Sequence, residues 1–308
     1  MRTYRDVSRG IAEDVAAGKL ASGSALPSVR MAALRHDTTT ATVARAYRAL
    51  ADAGVIATAD RRRARVAPDG AAAAMLLLGT ALSRTSGTTA LHLAGSDDPG
   101  LDIALRAAGA SVVTVGPRGS FNGLTRLWKG TADAAAIHLR HHSGDYNVPF
   151  AAALLRGRRP AVIHVWRREQ GILTAGGSPA SLRALSWSRF ARRPFGTGTR
   201  VLLDRLLAEA GIPASGVSGP DAATHLEVAM AVCAGQAEAG LAVRAAATAL
   251  GLAFSPVTWE DFDIVLPAAA LPAAGQLVSA LRDPCVQESV SALGGYDLSR
   301  TGTVQLLD

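Results

Sequence analysis

The sequence predicts two folded domains of different class, a small α+β domain in the first 70 residues and a larger α/β domain behind it. Three helix-like segments and a hairpin fill the first part, whereas strand-like runs alternate with helical ones from residue 90 onward. The 308 residues exceed the usual domain size of about 100 to 200. Residues 1–70 hold 12 Lys and Arg against 7 Asp and Glu, a net +5, and the remaining residues hold 20 against 18, a net +2. A basic domain ahead of a near-neutral one suggests that the first domain contacts a polyanion.

Three short helices are predicted in the first 54 residues. Apolar residues recur at helical spacing in residues 4–18. Ser28 is placed to cap a second helix, and threonines at 38–40 precede a third helix, which Gly54 ends. Tyr47 lies on the apolar face of this third helix, so we expect it in the core.

A hairpin follows the third helix. Residues 55–58 and 61–66 alternate as two short strands, and the tip between them carries Arg61, Arg62 and Arg63. Three helices and a hairpin with a basic tip are typical of a winged helix-turn-helix (α+β) domain, whose third helix enters the major groove and whose hairpin forms the wing. A small helical bundle with a solvated arginine cluster is the alternative.

Two stretches of this domain resemble the DNA-binding domain of GntR-type bacterial regulators. They are GKLASGSALPSVR, which ends at Arg30, and ATVARAYRALADAG, which ends at Gly54. The resemblance covers about 65 residues and implies that Arg30 and the start of the third helix contact DNA. Thr40 stands where the family often has a basic residue, and arginines replace the usual glycine at the wing tip. The resemblance therefore implies the binding mode and leaves the operator sequence open.

Threonines at the start of the third helix and arginines one turn later suit contact with DNA. Hydroxyls and free amides at a helix N-terminus bind phosphate oxygens or base edges. The expected DNA-binding residues are Arg30, Thr39, Thr40, Thr42, Arg45, Arg48, Arg61, Arg62 and Arg63. A solvated charge run is the alternative for the wing arginines. One such domain reads only a few base pairs, so we expect a homodimer on a double-stranded DNA operator.

Residues 70–87 are rich in Ala and Leu with helical periodicity. They predict a linker helix between a DNA-binding domain, residues 1–69, and a ligand-binding effector domain, residues 88–308. The helix forms part of a dimer seam or packs on its own domain. The longest apolar run, residues 71–82, is shorter than the roughly 20 residues of a membrane span, and the N-terminus lacks the apolar core of a signal peptide. We therefore expect a soluble, cytoplasmic protein with no membrane partner.

The order of strands and helices in the large domain predicts a parallel sheet with helices on both faces. Ligands of such sheets bind where strands end and helices begin. The corresponding turns are rich in hydroxyls and glycine, at Gly95–Asp98, Gly116–Asn122 and Gly196–Arg200. The sequence has no GxGxxG or GxxxxGKS phosphate loop, which argues against a dinucleotide or ATP site.

One of these turns joins a strand that ends near Arg192 to a helix that begins at Thr197–Thr199. Hydroxyls, a glycine amide and the positive end of a helix meet there. With Arg193 and Arg200 on either side, the turn predicts a cradle for an oxyanion. A capped helix with surface arginines is the alternative.

Six stretches of the large domain resemble the type 2 periplasmic-binding-protein fold, in the version fused to cytoplasmic helix-turn-helix domains and described as molybdate-binding-like. They are residues 127–139, 144–147, 168–171, 196–200, 237–240 and 294–297. The resemblance implies a two-lobed α/β architecture with the ligand in the cleft between the lobes. It also implies that the chain crosses the hinge near Gly171–Gly177 and returns near Phe262–Leu266.

A second resemblance concerns the ligand. Arg193 followed by Thr197-Gly198-Thr199 is similar to the Arg-xxx-Ser-Gly-Thr motif of periplasmic phosphate-binding proteins. Those proteins carry an aspartate two residues after the arginine, which accepts a proton from phosphate, whereas Phe195 stands here. A site without a carboxylate favours a fully deprotonated tetrahedral anion. Molybdate, tungstate and sulfate fit such a site, whereas phosphate at neutral pH fits poorly. The expected effector is molybdate or tungstate, which agrees with the molybdate-binding-like resemblance, and no cofactor is expected.

Further polar residues lie on turns that could close over the same anion. The expected ligand-binding residues are Ser96, Ser120, Asn122, Arg193, Thr197, Gly198, Thr199, Arg200 and Thr224. An ordinary turn or helix-cap role is the alternative for the serines, the asparagine and Thr224.

The sequence indicates neither a metal site nor an active site. His138, His141 and His142 span a strand end and a turn without a nearby cysteine or an HExxH motif, and the two cysteines lack CxxC spacing. A GxSxG motif is missing from the sequence. The expected function is a one-component DNA-binding regulator that senses a small oxyanion. There are three alternatives. The first is a regulator that senses a small organic anion held by Arg193 and Arg200, the second is a DNA-tethered enzyme, and the third is an interaction platform.

Overall fold

The computed structural model describes residues 2–59, 62–83, 90–177 and 182–307. Its N-terminal part follows the predicted order of three helices and a hairpin. The elements are α1 (Tyr4–Ala16), α2 (Val29–Arg35), α3 (Thr40–Asp52), β1 (Ile56–Ala57) and β2 (Arg65–Val66). Hydroxyls of Thr3, Ser28 and Thr39 each accept a hydrogen bond from a backbone amide of the following turn, which explains where the helices begin.

One apolar face of each helix forms the core of this N-terminal domain. Val7, Val43 and Leu50 are fully buried, because apolar residues three or four positions apart share a helix face. Tyr47 is buried as predicted, and its hydroxyl donates a hydrogen bond of 2.8 Å to the carbonyl of Pro27. The N-terminal domain therefore has its own hydrophobic core.

Helix α4 (Gly70–Ser83) packs against both parts of the chain. Ala74 belongs to the core of the N-terminal domain, whereas Leu76 belongs to the core of the α/β domain. A Cβ atom added at Gly79 would lie 2.1 Å from the carbonyl oxygen of Pro272, so only glycine allows this close approach. The helix is thus in contact with both domains.

The α/β domain consists of two lobes. The first lobe contains β3 (Leu91–Gly95), α5 (Pro99–Ala108), β4 (Val112–Arg118), α6 (Ser120–Trp128), β5 (Ala134–Ile137) and α7 (Val148–Leu154). Strand β6 (Pro160–Thr174) leads into the second lobe. That lobe contains β7 (Phe190–Ala191), α8 (Gly198–Ala210), α9 (His225–Cys233), β8 (Ala239–Val243) and α10 (Arg244–Ala249). Strand β9 (Ala253–Pro267) returns to the first lobe, which is completed by α11 (Gly275–Arg282), α12 (Pro284–Ala292), β10 (Tyr296–Asp297) and β11 (Val304–Leu306).

The strands form one mixed sheet in the order β4-β3-β5-β9-β6-β8-β7. The pairs β3–β4, β3–β5 and β7–β8 are parallel, as expected. The prediction of a parallel sheet is wrong for the centre, where β6 and β9 pair antiparallel along their whole length. The reason is that each long strand carries the chain between the lobes, in opposite directions.

The chain changes lobes slightly earlier than expected. Strand β6 pairs with β11 up to Ile163 and with β8 from Gln170, and β9 pairs with β5 from Asp263. The first crossing therefore lies at about residues 167–169, ahead of the expected Gly171–Gly177. The second lies at about residues 259–262 and overlaps the start of the expected Phe262–Leu266.

None of the helices within the described ranges combines the length and the apolar composition needed to span a membrane.

Candidate functional site

The two lobes meet at the N-terminal ends of α6 and α8. The amide of Phe121 donates a hydrogen bond of 3.1 Å to the carbonyl of Gly196 across the cleft. Gly119 has φ +119°, and a Cβ there would lie 2.8 Å from the same carbonyl. This contact needs glycine at position 119, and it keeps the cleft closed in the structure.

Four of the predicted ligand residues lie together inside the closed cleft. The hydroxyl oxygens of Ser96 and Ser120 are 2.7 Å apart, and both side chains are buried. Gly198 packs against the ring and carbonyl of His138. The backbone amide of His138 donates a hydrogen bond of 3.3 Å to Ser120 Oγ. Buried Thr197 caps α8 by accepting a hydrogen bond from the amide of Arg200, the third residue of the helix. This arrangement aims hydroxyls and a helix N-terminus at the cleft.

Arg193 is also in the cleft, but its guanidinium is paired with a carboxylate. Nη2 lies 2.5 Å from Asp97 Oδ1, and Asp97 Oδ2 also accepts from the amide of His225, the first residue of α9. Both charged side chains are buried. The inference that no carboxylate stands beside Arg193 is therefore wrong, because a residue of the other lobe, 96 positions earlier in the sequence, takes this place.

A second buried network lies where β6 and β9 cross between the lobes. Arg168 is fully buried; its Nε donates 2.8 Å to Glu260 Oε1 and its Nη1 donates 2.8 Å to Asp98 Oδ2. Gln170 donates both to the same Glu260 oxygen and to Thr199 Oγ1. Thr199 was a predicted ligand residue, whereas sequence reasoning missed the site roles of Asp98, Arg168, Gln170 and Glu260. Charged residues inside two otherwise apolar strands were the available signal, because a buried charge needs a partner.

Burial and neighbouring charges set the protonation of this interior. Burial, and then the charge of Arg193, hold the pKa of His225 well below its ordinary value. Burial likewise lowers the pKa of His138. Burial alone would raise the pKa of the Asp97 carboxyl, but His225 and Arg193 outweigh it and the pKa lies well below its usual range. The neighbouring His138 and Arg168 similarly lower the pKa of Glu260 to about 2. Near neutral pH the histidines are neutral and the carboxyls are ionised.

Several buried polar atoms of this interior have no hydrogen-bond partner within the described part of the chain. They are Arg168 Nη2, Gln170 Oε1, Arg193 Nε and both ring nitrogens of His225. Such atoms are rare inside folded proteins, because an unpaired buried polar group is costly. Their concentration between the lobes marks the cleft as a place that a polar ligand can complete.

Three predicted ligand residues are used differently. Arg200 donates 2.8 Å to Asp204, and its guanidinium stacks 4.0 Å from the exposed ring of Phe195. Arg200 lies in the first turn of α8, but its guanidinium is engaged by residues of the second lobe, and its role in ligand binding stays a prediction. Asn122 lies near Gly196, but its amide donates to the carbonyl of Arg118.

Thr224 caps α9, and the anion-binding position at that helix terminus is filled by Asp97. The carboxylate of Asp97 thus occupies the N-terminus of α9, where the sequence predicted an external anion.

A cavity of about 460 Å³ adjoins this interior between the loop after β5 and the first turns of α8. Its buried inner wall includes His138 and Glu260. Its outer, more exposed wall includes Arg140, Tyr146, Arg205 and Glu209. The ring centroids of His141 and His142, which also line it, are 3.9 Å apart. No group of three or more His, Cys, Asp or Glu side chains in the described ranges is arranged to hold a metal ion.

The residues expected to contact DNA lie at the surface of the N-terminal domain. Those that are exposed or half-buried are Arg30, Thr39, Thr40, Thr42, Arg45, Arg48, Arg62 and Arg63, whereas Arg61 lies outside the described residues. Thr39 caps α3, and the guanidinium of Arg45 stacks 4.0 Å from the ring of Tyr4. The start of α3 and the described part of the hairpin tip are accessible to a large partner.

The buried histidines predict a loss of stability in mild acid. Below about pH 6.5 the unfolded chain takes up protons at positions 138 and 225, but the folded chain does not, because both folded pKa values are lowered. The free energy of unfolding should therefore decrease as the pH is lowered below about 6.5, by about 1.4 kcal/mol per pH unit for each histidine. Urea unfolding between pH 7.5 and 5.5 measures this slope. His225→Leu should remove about half of it, and an unchanged slope would contradict the assignment.

Comparison with known families assigns both parts of the chain. The family model of bacterial regulatory proteins of the gntR family matches residues 3–66, and the PBP superfamily domain matches residues 104–282. An uncharacterised protein of Bacillus subtilis (strain 168), YvgK, is 32% identical over 203 residues, which cover 61% of this chain. The match spans 64% of the length of YvgK, less than two thirds of it.

Two solved structures illustrate the range of similar proteins. A hydrogen peroxide-bound OxyR mutant of Corynebacterium glutamicum is 16% identical, with 95% of each chain covered and a TM-score of 0.47. The tungstate ABC transporter of Geobacter sulfurreducens is 14% identical, with 66% of this chain and 97% of that chain covered and a TM-score of 0.46.

Proposed function

Because this chain belongs to the PBP superfamily and carries an N-terminal domain of the gntR family of bacterial regulatory proteins, we propose that it is a one-component transcription regulator whose cleft binds a small ligand and thereby changes its affinity for operator DNA. The single observation that carries the proposal is the position of α4. This helix packs on the core of the DNA-binding domain and on that of the ligand-binding domain. A change in the lobes can therefore move the DNA-binding domain.

The route from the cleft to the DNA-binding domain is short. Strand β9 crosses between the lobes, contributes Glu260 to the cleft and continues into the segment Ala268–Ala274, which packs against α4. Helix α4 in turn packs against α1. A ligand with different affinity for the open and closed cleft would shift the populations of the two states. We infer that β9 and α4 carry this shift.

The DNA-binding part of the proposal is supported by charge and exposure. The basic excess of the chain is concentrated in residues 1–70, and the threonines and arginines at the start of α3 and in the hairpin are accessible. We take residues 1–69 as the DNA-binding domain, 70–87 as the linker and 88–308 as the effector domain. A homodimer in the cytoplasm acting on a double-stranded operator is part of the proposal, since one winged helix contacts few base pairs.

Molybdate or tungstate is the inorganic candidate for the ligand. The hydroxyls of Ser96 and Ser120 and the N-terminal turn of α8 support it. Its binding to Nη1 and Nη2 of Arg193 requires that Asp97 leave these two atoms. A small organic anion is the second candidate, and the adjoining cavity of about 460 Å³, far larger than a tetrahedral oxyanion needs, favours it.

Competition by Asp97 makes the inorganic candidate testable. Molybdate, tungstate and sulfate should raise the melting midpoint of Asp97→Asn more than that of the wild-type protein, because the variant leaves the charge of Arg193 available to the anion. Thermal unfolding of both proteins in each salt, with chloride at equal ionic strength as the control, measures the difference. Equal shifts in the two proteins, or none in either, would show that Arg193 holds no oxyanion.

A further inference from the structure

The closed cleft carries an excess of negative charge. Arg168 and Arg193 face three carboxylates, those of Asp97, Asp98 and Glu260, and all five side chains are at least nine-tenths buried. The adjacent histidines add no positive charge near neutral pH, because burial lowers their pKa values. The buried cluster therefore has a net charge of −1. Burying a further dianion beside it is unfavourable, whereas a hydrogen-bond donor or a cation is accommodated.

One carboxylate oxygen of this cluster is still available. Glu260 Oε1 accepts hydrogen bonds from Arg168 and Gln170 and lies 3.0 Å from His138 Nδ1. Oε2 has no hydrogen bond to any residue in the described ranges, and Glu260 is part of the inner wall of the cavity. A ligand group in the cavity that donates a hydrogen bond or carries positive charge would contact this oxygen.

The other end of the cavity carries the opposite charge. Arg140 is exposed, and its side chain has no hydrogen bond or ion pair with any residue that the structure describes. Arg205 pairs at 3.7 Å with Glu209, which also lines the cavity, so two cations face one carboxylate at this end. Arg140 lies on the loop after β5 and Arg205 on α8, in different lobes. An anionic group bound between them would join the two lobes.

We propose that the cavity binds a small zwitterion of amino-acid size, with its ammonium group against Glu260 and its acidic group between Arg140 and Arg205. The inference rests on the proposed function, of which it specifies the ligand. Such a molecule is neutral overall and matches both the acidic inner wall and the basic outer wall. Tyr146, Val201 and Leu202 also line the cavity, so a short aliphatic or aromatic body also fits. The volume of about 460 Å³ lies within the range of about 300 to 1,000 Å³ of small-molecule sites.

Matched pairs of compounds test the proposal. The full-length protein is heated with each of the common amino acids, β-alanine and γ-aminobutyrate at millimolar concentration, and with the deaminated acid and the decarboxylated amine of each. At least one zwitterion should raise the melting midpoint by about 2 to 4 °C, and its deaminated and decarboxylated partners should not. No shift with any zwitterion, or an equal shift with a deaminated partner, would overturn the proposal.

Variants locate the ligand. Arg140→Gln, at an exposed position, should weaken binding of the active zwitterion about tenfold or more in calorimetric titration, and Glu260→Gln should do so through the other end. Arg158→Gln, which is exposed and does not line the cavity, is the control. Unchanged affinity in Arg140→Gln would contradict the placement even if Glu260→Gln fails to fold. An oxyanion or deaminated acid that binds instead and still alters DNA affinity would refute the zwitterion and retain the regulator. A zwitterion that binds without altering DNA affinity would support the ligand proposal and refute the proposed regulatory function.

Discussion

Arg168→Met is expected to destabilise the folded protein by about 3 to 5 kcal/mol, because it leaves the carboxylates of Asp98 and Glu260 buried without their shared cation. The side chain is fully buried, so water cannot replace the lost hydrogen bonds. Urea unfolding of the full-length protein at neutral pH measures the loss.

The preceding residue provides a matched control for this substitution. Arg167 also pairs with a carboxylate, at 3.1 Å from Asp261, but its side chain is 48% exposed. Arg167→Met should therefore cost no more than about 1 kcal/mol. Similar losses in the two variants would show that the buried network does not hold the lobes as the structure indicates.

The double substitution Arg62→Ala and Arg63→Ala is expected to weaken DNA binding by about tenfold or more at moderate salt, because each arginine is proposed to contact one phosphate. The dependence of log affinity on log salt should decrease in steepness by about 1.8, or about 0.9 for each phosphate contact. Fluorescence anisotropy with a DNA fragment from upstream of the protein's own gene, at several salt concentrations, measures both quantities.

Arg9 is a suitable control for the wing. It lies on α1, is exposed and pairs with Glu13 at 3.6 Å. Arg9→Ala should leave the salt dependence unchanged. If the wing variant behaves like this control, the hairpin does not contact DNA.

Local features of the fold could be predicted from the sequence. Ser28 and Thr39 cap helices because a hydroxyl just before a helix accepts an amide hydrogen bond of the first turn, and this requires only neighbouring residues. The cap at Thr197 and the start of α8 follow from the same rule. The sequence alone therefore predicts the helix starts, the hairpin and the turn that carries the cradle.

Pairings between distant residues could not be predicted. Asp97 and Arg193 are 96 positions apart, and Arg168 and Glu260 are 92 apart, so their contact depends on how β6 and β9 bring the lobes together. The same sequence pattern, a hydroxyl-rich turn beside an arginine, suits an external anion and an internal carboxylate equally well. Only the folded chain shows that Asp97 occupies the place beside Arg193.

The antiparallel centre of the sheet has a similar explanation. Alternating strands and helices indicate parallel pairing between neighbours such as β3 and β5. They do not show that two 15-residue strands run between lobes in opposite directions. That feature depends on the return path of the chain, which no local pattern records.

The central claim is that ligand binding in the cleft changes the affinity of the winged helix for DNA. The most direct test is the anisotropy titration of the upstream fragment with full-length protein, without ligand and with the compound that most raises the melting midpoint among the oxyanions, zwitterions and acids described above. We expect the DNA affinity to change by about 5- to 150-fold in either direction, equivalent to a coupling of about 1 to 3 kcal/mol. Equal DNA affinity with and without a saturating amount of that compound would contradict the claim.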